Sequence, residues 1–406
     1  MSEILERRAS ITGIGQSAIG RRLERSNVDL TLEAVLAAIA DAGLEKTDID
    51  GLATFPGGAL NARDAGRYAS AGVRDVQDAL RLELGWSQGG AEGPAPIGAV
   101  ISACLAVAAG LARHVVVWRT VTESSQQGSG SRAEVAHAAG LGDGRVDGYR
   151  QWSIPFGAGS SANLLAMYAQ AHFDRYGTTR EQLAQIALTD RANAALNPRA
   201  VFREPLTMEE YLAARMISTP LCLYDCDVPV DGSTAVVVSH VDAAKDAPHP
   251  TVNVHAVGTA MRGRPSWDQF DDLTTMAARD AAAHLWSRSD LTTADIDLAQ
   301  LYDGFSFLAL AWLEALGFCE PGQGGAFVEG GKRIARDGDL PLNTDGGQLS
   351  AGRLHGFGLL HEACVQLRGD AHDRQVRLPK AKTPSAAVVA NGGGPVAGCM
   401  LLTRGT

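Results

Sequence analysis

The stretch that decides the fold is Asn343-Thr-Asp-Gly-Gly-Gln-Leu-Ser-Ala-Gly-Arg-Leu-His-Gly-Phe-Gly358, late in the sequence. Its glycines at positions 346, 347, 352 and 356 allow positive φ angles and let backbone N–H groups come close to a bound oxygen. The apolar run from Leu359 to Leu367 then predicts a helix. This spacing favours a loop that crowds against an anionic ligand and opens a helix, although a simple tight turn would show the same glycines.

The chain also contains an internal repeat. Segments 47–55 and 294–302 match at a constant offset of 247 residues, and both contain Asp-Ile-Asp. The dipeptides Ile97-Gly98 and His355-Gly356 each lead into an apolar helical run, and the runs 232–238 and 394–400 are both glycine-led and strand-like. Three pairs in the same order indicate two homologous halves that build one structural unit.

The composition is that of a large α/β body. The chain has 406 residues, of which 45% are hydrophobic and 20% charged, and helical and strand-like segments alternate along it. No segment approaches the roughly 18 to 20 uninterrupted apolar residues that a membrane span needs. The first residues, Met-Ser-Glu-Ile-Leu-Glu-Arg-Arg, lack the apolar core of a signal peptide, so the cytoplasm is the expected location.

The charge balance excludes one class of partner. A net charge of −10 argues against a protein that wraps a nucleic-acid backbone, because such a protein needs a basic stripe. It leaves room for a local basic pocket that binds a phosphate-bearing ligand.

The cysteines predict buried thiols. The six cysteines, at 104, 222, 226, 319, 364 and 399, mostly lie inside apolar runs and lack the paired spacing of metal sites. Cys222 and Cys226 could face one another, but their C-x3-C spacing is not diagnostic of a metal site. We therefore expect no bound metal.

An ordered series of motifs resembles the thiolase superfamily. It runs from Ala9–Ser17 through Leu221–Gly232 and Leu301-Tyr-Asp-Gly-Phe-Ser-Phe307 to Gly346–Gly352 and Ala390-Asn-Gly-Gly-Gly394, and it covers practically the whole chain. The Tyr-Asp-x-Phe and Gly-Gly-Gln-Leu elements resemble the sterol-carrier or lipid-transfer branch, which includes steroid side-chain-degrading aldolases.

This resemblance implies an α/β thiolase fold in which two similar βαβαβαββ halves form five layers, αβαβα. We assign residues 1–245 to the N-terminal half, with a loop insertion at about 120–215, and residues 246–406 to the C-terminal half. Proteins of this kind are usually dimers that act on coenzyme A thioesters. A homodimer is therefore expected, with coenzyme A as part of the substrate and no covalently bound cofactor.

The sequence departs from a thiolase at the residues that handle the acyl group. A thiolase holds this group on a nucleophilic cysteine, yet the corresponding loop reads Glu92-Gly-Pro-Ala-Pro96, and Cys104 lies about two turns inside the following helix. The acid–base cysteine expected before Asn-Gly-Gly-Gly is Ala390, and the histidine expected after Gly352 is Arg353. Loss of these groups argues against a Claisen condensation through an acyl-enzyme.

Retro-aldol cleavage needs no such nucleophile. It requires a base for the hydroxyl proton of a β-hydroxyacyl thioester, donors for the enolate oxygen that forms, and an acid. Tyr302 is the first candidate for proton transfer, because the resembling aldolases use a tyrosine in a Tyr-Asp-x-Phe motif; an aromatic packed in the core is the alternative. Asp303 is expected to orient the backbone or Tyr302.

The resembling aldolases carry a second tyrosine where this chain has Arg353. Arginine stays protonated, so it cannot donate a proton as tyrosine does, but it could stabilise an enolate or lower a tyrosine pKa from about 10. It could also bind a carboxylate or phosphate of a different substrate, or mark lost activity. His355 is a further candidate proton carrier; a histidine that caps the following helix or satisfies a buried carbonyl is the alternative.

The remaining predicted site residues shape a pocket and supply N–H donors: Gly346, Gly347, Ser350, Phe156, Gly392, Gly393 and Gly394. Phe156 stands where the resembling aldolases have a histidine after proline, which would make the pocket more apolar, although structural packing explains it equally well. The resemblance also implies a small partner subunit of the DUF35 type, an OB-fold with a zinc ribbon.

These features predict an aldolase that cleaves or forms a carbon–carbon bond in a β-hydroxyacyl-CoA, with a steroid side chain or a similarly bulky acyl group. Two other classes stay open: a non-catalytic acyl-CoA or lipid-binding protein, and a scaffold subunit of a thiolase-like complex.

Overall fold

The computed structural model describes residues 4–57, 70–90, 93–127, 151–262, 272–274, 276–378 and 383–405. The strands are β1 Ala9–Gln16, β2 Gly51–Thr54, β3 Trp86–Gly89, β4 His114–Thr122, β5 Met216–Ser218, β6 Leu221–Cys222, β7 Asp231–His240, β8 Val252–Met261, β9 Leu298–Gln300, β10 Ala386–Gly392 and β11 Val396–Arg404. The α-helices are α1 Asn27–Asp41, α2 Val73–Leu80, α3 Gly98–Ala108, α4 Glu123–Gln127, α5 Ser161–Tyr176, α6 Arg180–Ala194, α7 Met208–Ala213, α8 Met276–Ser287, α9 Ser306–Ala315, α10 Gly324–Val328 and α11 Phe357–Arg368.

Nine of the described strands form a sheet whose order repeats on either side of its centre, and β5 and β6 form a separate two-stranded sheet. The order is β3-β2-β4-β7-β1-β8-β11-β10-β9, and β1 meets β8 at the pairs Ser10–Asn253 and Ile11–Val252. From the centre outward, β1, β7, β4 and β2 correspond to β8, β11, β10 and β9. Leu342 forms a parallel bridge with Ala299 of β9, where β3 pairs with β2 in the other half. The two predicted similar halves are confirmed.

The sequence repeat has a structural counterpart in each half. A 3₁₀ turn, Lys46–Asp48 or Thr293–Asp295, leads into β2 or β9. The first strand of each half, β1 or β8, also contains a glycine that packs directly against a helix. A Cβ at Gly13 would lie 2.2 Å from the Ala38 carbonyl oxygen of α1, and one at Gly258 would lie 2.1 Å from the Ala281 oxygen of α8. Only glycine permits this close helix–strand contact.

Strand β4 shows how the sequence creates layers. All nine of its residues are buried, and successive side chains point to opposite faces. Val115 and Val117 join an apolar cluster that contains α3 and α11, whereas Val116 and Trp118 join a second cluster with α1 and α2. Each fully buried valine stabilises the fold by roughly 1.5–3 kcal/mol.

Five layers result from this packing. Helices α3 and α11 form the central layer, because their cluster includes strands from both halves of the sheet. Helices α1 and α2 cover the outside of one half, and α8 and α9 cover the outside of the other. The predicted αβαβα thiolase arrangement is confirmed. Of the described helices, none has the length and apolar character needed to cross a membrane.

The predicted division at 245/246 falls between β7 and β8. Helices α5, α6 and α7 lie in the segment that we interpreted as an insertion, about 120–215, and residues 128–150 of it lie outside the described residues. These boundaries stay predictions.

Candidate active site

The stretch Asn343–Gly358 runs beside the end of β9. The Asn343 side chain accepts a hydrogen bond from the Leu301 amide (2.8 Å) and donates one to the Leu301 carbonyl (3.0 Å). A π-helical turn follows at Gly347–Ala351, and Gly356, at φ +84°, precedes α11. The predicted loop and helix are present. The two hydrogen bonds between Asn343 and the Leu301 backbone hold the start of the Tyr302-Asp303 motif next to the loop.

The side chain of Asp303 binds the backbone of the π-helical turn. Its fully buried carboxylate accepts hydrogen bonds from the amides of Gln348 (2.8 Å) and Leu349 (3.1 Å). A Cβ at Gly347 would lie 2.2 Å from this carboxylate, so the contact requires glycine. Burial raises the pKa of Asp303 to about 6, against the lowering effect of its hydrogen bonds. Asp303 therefore orients backbone, one of the two roles expected for it.

The tautomer of His355 is set by a buried arginine. Arg119 is fully buried, and its Nε and Nη2 atoms donate to His355 Nδ1 at 3.0 and 2.6 Å. The same guanidinium donates through Nη1 to the carbonyls of Phe55 (3.2 Å) and Thr120 (3.0 Å). A guanidinium only donates, so Nδ1 must carry the lone pair, and the ring proton lies on Nε2. Bound in this way, His355 is a hydrogen-bond donor.

Tyr302 packs beside the His355-Gly356 peptide. Its ring is half-buried, and a Cβ at Gly356 would lie 3.4 Å from Tyr302 Cδ2. The Gly356 amide donates to Gln348 Oε1 (3.0 Å), and the Asn391 amide group donates to the His355 carbonyl (2.7 Å). The Tyr302 ring thus lies beside the backbone that carries His355, through contacts that the sequence did not indicate.

The second glycine run, Gly392 to Gly394, begins at the last residue of β10 and borders the site. A Cβ at Gly392 would lie 2.9 Å from the Ala95 side chain, on the loop that carries the nucleophile in a thiolase. Trp312 donates to the Gly392 carbonyl (3.1 Å) and lies 2.9 Å from the position of a Cβ at Gly393, whereas the Gly394 carbonyl binds the Ala277 amide at the start of α8 (3.0 Å). Glu92 of the same loop lies outside the described residues.

Arg353 lies in an acidic environment. Its side chain is 8% exposed, and it pairs with Glu123, the first residue of α4, and with Asp227, whose Oδ2 is 3.4 Å from Arg353 Nε. Neither carboxylate was indicated by the sequence. The available signal for Glu123 was an acidic residue directly after a valine-rich strand, β4. These two groups compete with any negative charge on a substrate for the guanidinium.

Three predicted pocket residues have other surroundings. The Ser350 hydroxyl accepts from Arg191 Nε (2.9 Å), and a Cβ at Gly346 would lie 2.5 Å from the Ala194 side chain, so both pack on α6. Phe156, on the 3₁₀ turn Ile154–Phe156, is 81% exposed. Within this chain few neighbours cover the ring of Phe156, and its role as a pocket wall or lid stays a prediction.

Comparison with known proteins identifies the family. Residues 260–402 match a family described as thiolase C-terminal domain-like. A steroid side-chain-cleaving aldolase of Thermomonospora curvata is 35% identical to the chain over 408 residues, and the match covers 98% of each protein. The chain belongs to the lipid-transfer branch of the thiolase superfamily.

Other members of this superfamily match over similar lengths. The 17-hydroxy-3-oxo-4-pregnene-20-carboxyl-CoA lyase of Mycobacterium tuberculosis is 32% identical, over 98% of this chain and all of the relative. The solved structure of an Ltp2-ChsH2(DUF35) aldolase superposes with a TM-score of 0.84 at 33% identity and covers 99% of both chains.

Neither Cys104 nor Cys399 of this thiolase-superfamily member is suited to act as a nucleophile. Cys104 is fully buried in α3, and burial raises the pKa of its thiol to about 12. Burial also raises the pKa of the thiol of Cys399, which lies within β11. A thiolate is the reactive form, so both thiols are inert at neutral pH.

We expect no acyl-enzyme with a 3-ketoacyl-CoA. Intact mass spectrometry after incubation should show the unmodified chain, and no thiolysis products should form when free coenzyme A is added. As a control, the unfolded chain should take up six alkyl groups from a thiol reagent, one for each cysteine. A stable acyl adduct on Cys104 would contradict the prediction.

Proposed function

We propose that the chain is a retro-aldolase that cleaves the Cα–Cβ bond of a β-hydroxyacyl-CoA carrying a steroid side chain or a similarly bulky acyl group. The observation that carries the proposal is the packing of the Tyr302 ring against Gly356, the residue after His355, together with a loop, residues 93–96, that contains no cysteine. Full-length similarity to an aldolase and a CoA lyase supports the same reaction class.

The chemistry follows from the positions of the donors. The β-hydroxyl loses its proton as the Cα–Cβ bond breaks, which gives a carbonyl product and the enolate of a shorter acyl-CoA; a proton then adds at Cα. We assign proton transfer to the Tyr302 hydroxyl and stabilisation of the enolate oxygen to the His355 Nε2–H group. An oriented donor of this kind acts where charge develops and typically contributes about 10²–10³ in rate. The reverse steps form the bond.

The partner and assembly are part of the proposal. We infer a DUF35-type partner subunit, because the matched aldolase structure is named as a complex with a DUF35 protein. We further propose a homodimer core with such a subunit on each flank, working in the cytoplasm, as the resemblance and the N-terminal sequence suggested. The exposed aromatic rings of Trp152 (72%) and Phe156 (81%) would then be covered in the complex. Coenzyme A enters as part of the substrate.

A second candidate function rests on Arg353. The resembling aldolases have a tyrosine at this position, and here an arginine is paired with Glu123 and Asp227. This favours a non-catalytic acyl-CoA or lipid-binding protein, or a scaffold subunit, as the alternative.

Product masses separate the two functions. Incubation with a panel of β-hydroxyacyl-CoAs, with and without a DUF35-type subunit, is expected to yield a carbonyl compound and a shortened acyl-CoA, fastest for bulky acyl groups and with the partner present. Light scattering of the same samples should show a dimer core that gains mass with the partner. Binding of the panel without any cleavage, in both conditions, would instead support the binding or scaffold function.

A further inference from the structure

Two carboxyl groups converge beneath the π-helical turn. Asp190 of α6 and Asp303 are both fully buried, and their Oδ2 atoms face the same point beside Gly347. A Cβ at Gly347 would lie 2.2 Å from Asp303 Oδ2 and 2.9 Å from Asp190 Oδ2. If both carboxyl groups were ionised, no hydrogen bond could form between them. Their negative charges would then repel each other in a buried environment that water does not screen.

The surroundings decide which carboxyl holds a proton. Asp303 accepts two backbone N–H bonds, which favour its charged form. Asp190 lacks such donors, and burial followed by the charge of Asp303 raises its pKa well above the ordinary value. The other groups that act on Asp190 are the carboxylate of Asp345, the side chain of Asn343 and the guanidinium of the adjacent Arg191.

We propose that Asp190 and Asp303 share one proton and that this pair positions the turn Gly347–Ala351 for catalysis. The contact continues toward the site: Asp303 binds the Gln348 amide, and Gln348 Oε1 accepts from the Gly356 amide beside Tyr302. Asp190 is thus a positioning residue that acts through Asp303. In the described part of the chain, no group of three His, Cys, Asp or Glu is placed to hold a metal there.

If the two carboxyl groups share a proton, activity should fall at alkaline pH, and an asparagine at position 190 should prevent this fall. As pH rises, Asp190 loses its proton, two negative charges face Gly347, and the turn loses its support. Asparagine at 190 donates the same hydrogen bond but cannot ionise. Because activity is one readout, this part of the argument rests on the proposed retro-aldolase function.

The experiment compares wild type, Asp190→Ala and Asp190→Asn. At neutral pH, Asp190→Ala should lower kcat by about 10-fold to 100-fold, the effect of breaking a buried hydrogen bond, with little change in KM. Asp190→Asn should rescue most of this loss and move the alkaline limb of kcat to higher pH. A variant Asp190→Asn with the wild-type alkaline limb would overturn the proposal.

Two readouts need no activity. The infrared spectrum of the wild type at neutral pH should contain a carboxylic acid C=O band that Asp190→Asn lacks. A raised pKa means that the native state binds the extra proton, so wild-type stability falls relative to Asp190→Asn as pH rises above the ordinary aspartate value. The Tm of the variant should therefore gain on wild type as pH rises above about 4, the ordinary pKa of an aspartate.

These outcomes distinguish the two hypotheses. If wild type cleaves no substrate, the proposed function fails, while the infrared band and the Tm trend still decide the pair. If wild type and Asp190→Asn have the same infrared spectrum, and their Tm difference does not vary with pH, the shared proton is disproved. This holds even if the enzyme is active. If Asp190→Ala does not fold, the readouts from Asp190→Asn remain sufficient.

Discussion

Replacing Tyr302 with phenylalanine is expected to slow carbon–carbon cleavage by about 10² to 10⁴, the typical effect of losing an acid–base group. The ring packs beside Gly356 and stays in place, because only the hydroxyl is removed. Substrate affinity and the Tm should therefore change little, while kcat falls. Steady-state rates with the best β-hydroxyacyl-CoA of the panel, together with thermal unfolding, measure both effects.

Tyr176→Phe is a matched control for this substitution. Tyr176 is also half-buried, but it lies at the C-terminal end of α5, where its ring contacts His172 at a centroid distance of 4.8 Å. Removal of its hydroxyl should leave kcat within about twofold of wild type. If Tyr302→Phe behaves like this control, the hydroxyl of Tyr302 does not carry the proton, and His355 becomes the first candidate.

The fold could be predicted because its signals are local and repeated. Glycines such as Gly346 and Gly356 mark positions of positive φ, and the repeated Asp-Ile-Asp precedes β2 in one half and β9 in the other. Alternating burial along apolar strands follows from the geometry of the chain itself. The repeat therefore predicted the two halves from the residues themselves, whereas the five layers were implied by the resemblance to the thiolase superfamily.

The partners of the site residues could not be predicted, because they come from distant parts of the chain. Arg119 and His355 are 236 positions apart, and Glu123 and Arg353 are 230 apart. No local pattern connects β4 with the loop before α11, and a buried acidic residue such as Asp190 looks like any charged position on an amphipathic helix. The sequence thus identified Tyr302, Asp303 and His355 as candidates but not the groups that orient them.

Phe156 illustrates what the residue type alone leaves open. From sequence, an aromatic after proline was a candidate wall of an apolar pocket, but in the structure most of its ring faces outward. A residue's chemical type predicts an affinity for apolar surroundings without saying which surface supplies them. In the proposed complex, that surface belongs to a second chain.

Replacing Arg353 with alanine is expected to destabilise the fold by about 3–5 kcal/mol, because Glu123 and Asp227 are left as buried charges without their cation. Cleavage should also slow, since the loop from Gly352 to His355 loses its anchor. Arg353→Tyr would restore the residue of the resembling aldolases, and it would keep activity if the arginine were only a substitute for that tyrosine. The structure predicts instead that this single change is destabilising as well, because a neutral tyrosine cannot balance two carboxylates.

Chemical unfolding of four variants tests this reasoning: Arg353→Ala, Arg353→Lys, Arg353→Tyr and the double variant Arg353→Tyr with Glu123→Gln. The lysine variant keeps the positive charge and should lose the least stability. The double variant should be more stable than Arg353→Tyr alone, because glutamine removes one of the two uncompensated charges while keeping the shape of Glu123. If Arg353→Tyr alone is as stable as wild type and cleaves faster, the ion pair with Glu123 and Asp227 does not support the loop, and the arginine is a substitute for the second tyrosine that the site tolerates.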